Sequence, residues 1–147
     1  MEPDEVRRRM VQARLHLDFC AEIYRHQLAH GRHFLHEHPV TAESWKEDFI
    51  VEIRKDPKVG SVIGDMCQFG MELMDESGHV LPVKKPTRWM SSSPAILEQL
   101  GKRCIKACGH THIILFGKRK TTAAAEYPPA ICRDILRGVQ NQFKSEA

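Results

Sequence analysis

Long apolar runs are missing from this sequence. Nothing in it approaches the ~18 consecutive apolar residues of a spanning helix, which excludes a helical membrane protein. The opening residues, Met1-Glu2-Pro3-Asp4-Glu5, are acidic before they are basic and lead into no apolar stretch. A secretory signal is thereby excluded, and an intracellular home, cytoplasmic or nuclear, is expected. Internal repeats and low-complexity tracts are also lacking, which excludes solenoids and linkers. The five cysteines, Cys20, Cys67, Cys104, Cys108 and Cys132, are odd in number and widely spread, so they imply reduced thiols rather than a disulfide framework. Charge of one sign is not in excess either: a formal net charge of +3, with the nine histidines neutral, falls short of a dedicated nucleic-acid binder. What is present, 41% hydrophobic and 28% charged residues over 147 positions, is the composition of one globular domain with a real core.

From Asp4 to Ala29 there is neither Gly nor Pro, and Val6, Met10, Ala13, Leu17, Cys20, Tyr24 and Leu28 recur at helical spacing, which predicts a long helix with one apolar face. Gly31 stands where such a helix ends, and residues 32–39 read as a short strand stopped by Pro39. Thr41 is placed to cap a second helix carrying Trp45, Phe49 and Ile53 on one face and ending before Asp56-Pro57. Residues 58–65 and 84–91 are strand candidates. Between them Asp75-Glu76-Ser77-Gly78 predicts a hairpin or an irregular loop. Ser93-Pro94 opens a helix through Ile96, Leu97 and Leu100 toward Cys104, Ile113 to Phe116 reads as a buried strand, and Pro128-Pro129 starts a last helix with Ile131, Ile135 and Val139 inward. Helices alternating with short apolar strands point to an α/β sheet.

Three segments, in order, resemble the DNA cytosine-C5 methyltransferases. Phe34-Leu35-His36-Glu37-His38-Pro39 is similar to that family's strand ending in Glu-Asn-Val, with His38-Pro39 in place of Asn-Val. Phe69-Gly70 followed by Lys84-Lys85-Pro86-Thr87-Arg88-Trp89 is similar to the stretch where Tyr-Gly precedes a Gln-x-Arg-x-Arg strand, here without the glutamine. Ala125-Glu126-Tyr127-Pro128-Pro129-Ala130-Ile131-Cys132 is similar to the family's last motif, which opens a terminal helix beside the cofactor loop. The resemblance spans residues from about 30 to 140 and extends to segments of copia-type retrotransposon polyproteins. It implies a partial class-I methyltransferase, Rossmann-like sheet with flanking helices and incomplete along one edge. It further implies an inherited catalytic role for Glu37 and Arg88, and a cofactor-adjacent place for Tyr127 and Pro128.

The chemistry that methyl transfer needs is not all here. No Pro-Cys dipeptide occurs to supply the attacking thiolate, and no Gly-rich loop follows a first strand to hold S-adenosylmethionine. The expectation is therefore a half-domain, inert alone, that binds S-adenosylmethionine only when an upstream segment completes the sheet.

Two other patterns carry chemistry. Cys104-x3-Cys108-x-His110-x-His112 gathers thiol and imidazole ligands within a few residues of one another, a set suited to zinc, with Cys67 as a further ligand that completes or competes. Against it stands the reading of Cys104 as a buried inert thiol. The histidines His30, His33, His36 and His38 are a weaker metal candidate because they lack fixed tetrahedral spacing. Lys84, Lys85, Arg88 and Trp89, with Lys118, Arg119 and Lys120, form two basic patches suited to DNA or RNA phosphates, or else a solvated strand edge. A small zinc-stabilised module binding nucleic acid or protein is the alternative to the methyltransferase-like reading.

Overall fold

The computed structural model describes residues 2–105, 108–113, 115 and 124–147. It is a mixed α/β structure with two small antiparallel sheets. Helix α1 runs Pro3–Ala29, with Pro3 in its first turn and Glu5 bridging to Arg8 and Arg9, three and four residues further along the helix. Gly31, at φ 66°, turns the chain into β1, Leu35–Pro39. Thr41 does not cap the second helix. The chain instead makes a 3-10 turn, Glu43–Lys46, and then α2, Asp48–Lys55. Strand β2, Gly60–Asp65, leads through a second 3-10 turn, Met66–Phe69, into the hairpin β3, Glu72–Met74, and β4, Val80–Pro82. Strand β5, Pro86–Ser91, precedes α3, Pro94–Leu100, whose first turn is capped by the Ser93 hydroxyl accepting from Ile96 N–H at 3.3 Å. The chain ends in α4, Pro129–Glu146. Of the strand expected at 113–116, Ile113 and Leu115 lie outside any strand, and residues 114 and 116 lie outside the described residues.

The three-stranded sheet has the order β1-β5-β2, with β5 antiparallel to both neighbours. β1 and β2 therefore run parallel to each other, joined by α2 and split by β5. Side-chain alternation sends Leu35, Glu37, Trp89 and Val62 to one face and His36, His38, Arg88 and Met90 to the other. The Trp89 face packs against α3 and α4 in a core that includes Met66, Phe69, Leu97, Leu100 and Ile131. The Met90 face packs against α1 and α2 through Leu17, Ala21, Trp45, Ile50 and Ile53. At Gly138 a Cβ would lie 2.6 Å from Ile96 Cα, so α3 and α4 meet backbone to backbone. At Gly64 it would lie 2.3 Å from the Leu100 carbonyl oxygen, which brings the end of β2 hard against the end of α3.

Candidate metal centre

That close approach builds the site. Beyond β2 the chain enters the Met66–Phe69 turn carrying Cys67, and beyond α3 it enters the segment carrying Cys104. Asp65 clamps the two: its N–H donates to the Lys102 carbonyl at 2.9 Å, and its Oδ2 accepts from the Cys104 N–H at 2.8 Å and from Arg103 Nε at 3.2 Å. Gly109, at φ 66°, then turns the chain so that His110 and His112 come back over Cys104.

One ligand atom from each of Cys67, Cys104, His110 and His112 falls within 4.8 Å of all the others. Cys104 Sγ is 3.4 Å from Nε2 of His110 and 3.4 Å from Nε2 of His112, and those nitrogens are 2.9 Å apart. A tetrahedral zinc with bonds of about 2.3 Å to sulfur and 2.0–2.1 Å to nitrogen sets its ligands roughly 3.3–3.8 Å from one another: the two Cys104–histidine distances fall in that range, and the two imidazole nitrogens, at 2.9 Å, would move apart by a few tenths of an ångström to admit the ion. The donor set fits as well, because two thiols and two imidazoles supply four protein ligands and leave no open position. Burial, and then hydrogen bonding with the Cys67 and Cys108 thiols, pushes the Cys104 thiol up to about 11. Burial and then His110 and Lys84 hold the His112 imidazole below its ordinary value, against an opposing pull from Asp65. Without a cation, Cys104 and His112 thus favour their neutral forms. A divalent cation reverses the preference of the Cys104 thiol, which it binds as the thiolate, and takes the His112 imidazole in the neutral form it already favours.

Three of the four ligands expected from spacing, Cys104, His110 and His112, are brought together, and Cys67 takes the fourth place. Cys108 sits beside the group rather than in it, with its Sγ 3.6 Å from Gln68 Nε2. Cys67 had only its residue type to mark it in the sequence. Its membership comes from the meeting of β2 and α3.

The residues of the other readings are placed differently. Glu37 faces Trp89 across the β1–β5 pair, and the Tyr127 hydroxyl hydrogen-bonds to it. Burial first, and then Glu37, push the Tyr127 phenol well above its ordinary range. The Trp89 and Tyr127 rings lie 6.1 Å apart, while Glu37 Oε2 and Trp89 Nε1 are buried without hydrogen-bond partners among the described residues. Pro128 is the residue from which α4 starts. Arg88 points to the opposite face of the sheet from Glu37, its guanidinium 5.3 Å from the centroid of the Trp45 ring. Trp89 is 1% exposed and offers no ring face to a base. Lys84 Nζ donates to the Cys104 carbonyl at 3.4 Å and Lys85 Nζ to the Ala124 carbonyl at 3.0 Å, while Lys118, Arg119 and Lys120 lie outside the described residues. The four upstream histidines share no partner: His30 goes to the His26 carbonyl, His33 to Ser92 and Glu146, His36 to Tyr24, and His38 to Ser44. No described helix is long and apolar enough to cross a membrane. No protein-family model matches the chain, and neither a curated protein nor a solved structure matches it.

Proposed function

We propose that this chain is a small zinc-stabilised binding module in which Cys67, Cys104, His110 and His112 hold a structural zinc. One observation carries the reading: four ligand atoms from two stretches far apart in sequence converge to within 4.8 Å of one another, on backbone already fixed by Asp65. Four protein ligands leave no position for water or substrate, which is the mark of a structural site rather than a catalytic one. Elemental analysis of the purified chain is expected to find one zinc per molecule. Cobalt substitution should give the intense thiolate-to-metal absorption of a sulfur-ligated tetrahedral site. Cys104→Ser and His112→Ala should each lose both signals, and Cys132→Ser, at an exposed thiol outside the group, should keep them. Full metal content in Cys104→Ser refutes the site.

A second reading, a truncated or degenerate methyltransferase-like module from a mobile-element polyprotein, is supported by the meeting of Glu37 with Tyr127, which come from two of the segments that carry the resemblance. In that reading the antiparallel sheet is part of a larger class-I sheet, and Glu37 acts only once a thiolate and a methyl donor face it. Joining an upstream half that bears the nucleophile loop is expected to give transfer of labelled methyl groups to DNA, and Glu37→Gln in that joined protein should abolish it. A folded joined protein that is inert in both versions ends this reading.

A further inference from the structure

Two arginines beside β2 carry charge that no carboxylate among the described residues answers. Arg88 of β5 and Arg54 of α2 lie against the same indole, their guanidinium carbons 5.3 and 6.0 Å from the centroid of Trp45. Among the described residues neither makes a salt bridge or a hydrogen bond. Their cationic neighbours are engaged: Lys55 with Glu52, Lys102 with Asp134, and Arg103 through Nε with Asp65. The platform is fixed, because Trp45 is 5% exposed and its Nε1 donates to the Pro39 carbonyl at 2.9 Å. Cation–π contact holds each guanidinium over the ring but cancels none of its charge. Two like charges gathered on one ring are therefore poised for an anion, and guanidinium forks match phosphate oxygens two at a time.

The space in front of them is shaped accordingly. Arg54, Arg88 and Arg103, with Ser61 and Gly101, line an open groove of about 590 Å³ beside β2, an outer strand of the sheet, and among the described residues no carboxylate lines it. An enclosed pocket with several hydrogen-bonding side chains would select a small molecule; this groove has Ser61 and guanidiniums only. Trp45 is covered by protein and presents no face for a base to stack on. The chemistry is that of backbone contact without base readout.

We propose that this groove binds the phosphodiester backbone of a nucleic acid, with Arg54 and Arg88 each engaging a phosphate and Arg103 extending the track. The proposal stands independently of the zinc. Its test is fluorescence anisotropy of labelled single-stranded DNA, single-stranded RNA and duplex, each about 20 nucleotides long, titrated with the full chain over a range of salt. So few contacts predict sequence-independent binding with Kd on the order of 10–100 µM at low salt. The double variant Arg54→Gln/Arg88→Gln is expected to bind at least tenfold more weakly. Its plot of log K against log salt should be shallower by about 1.4 for a single strand, the loss of two phosphate contacts. Ser61→Glu, which puts a carboxylate in the groove and leaves both ring contacts in place, is expected to weaken binding likewise and decides the matter if the double variant does not fold. Three results overturn the proposal: no oligonucleotide bound at about 500 µM protein in low salt, binding undiminished in Ser61→Glu, or equal binding of labelled polyglutamate and equal displacement by inorganic phosphate at matched ionic strength.

Discussion

His36 shows how one buried ring couples this fold to acid. It is 7% exposed, shares a hydrogen bond of 2.9 Å between Nδ1 and the Tyr24 hydroxyl, and is crowded by the rings of Trp45 and His38 at 5.1 Å each. Burial, and then the neighbouring His38, push its pKa down to about 4, while burial first of all pushes Tyr24 up to about 12. Proton linkage sets the direction of the effect on stability. The unfolded chain takes up a proton near pH 6.5 that the folded chain refuses until about pH 4, so stability is full above 6.5 and falls between 6.5 and 4. The loss attributable to this ring amounts to at most about 3 kcal/mol. Urea unfolding at pH 7, 5.5 and 4.5 measures it. His36→Phe, which cannot take up the proton, is expected to lose that part of the slope while keeping an aromatic ring beside Trp45. Equal slopes in the two proteins would assign the acid sensitivity to other groups.

At the scale of elements, the sequence was legible wherever local pattern dictates structure. Uninterrupted helical spacing marked α1, Pro-flanked and Gly-flanked runs marked β1 and β2, Ser93-Pro94 marked α3, and the Asp75–Gly78 turn marked the β3–β4 hairpin. Pattern does not say where the body of the protein stops. Val6 and Met10 continue the apolar face that buries Leu17 and Ala21, yet they are exposed, and no residue of α1 before Leu17 is buried. Pairing was equally opaque. Strand–helix–strand order reads as adjacent parallel strands, whereas β5, which arrives only after the hairpin, inserts between β1 and β2 and pairs antiparallel with both. The site was half legible for the same reason. Cys104, His110 and His112 are close in sequence, but Cys67 joins them through a tertiary contact that Gly64 permits, and Arg54 and Arg103 belong to no motif at all.

At the scale of the whole molecule, the sheet divides the protein into two cores, and the proposed zinc serves only one of them. Its ligands lie in the Met66–Phe69 turn and the segment after α3, both on the side where Met66, Phe69, Leu100 and Ile113 are buried with α3 and α4. The other core, built by α1, α2, Trp45 and Met90, contributes no ligand. Removing the metal should therefore not act evenly. It leaves the four ligands without the ion that joins them, and among the described residues the stretch after α3 is then held by Asp65 and Lys84 at Cys104 and by the Ile113 N–H bond to the Pro82 carbonyl. Local opening requires less free energy than global unfolding where few buried contacts hold a segment. Amide hydrogen exchange with and without a strong chelator reads the difference directly. Exchange is expected to accelerate at least tenfold at residues 66–69, 104–105 and 108–113 on chelation, while the amides of α2 and of the β1–β5 ladder keep their protection. Added zinc should restore the original rates, and the chelated protein should melt at a lower temperature by mass action. Uniform acceleration through both cores would show that the metal supports the entire fold rather than one face of it, and exchange indifferent to chelation would remove the metal from the account of this structure.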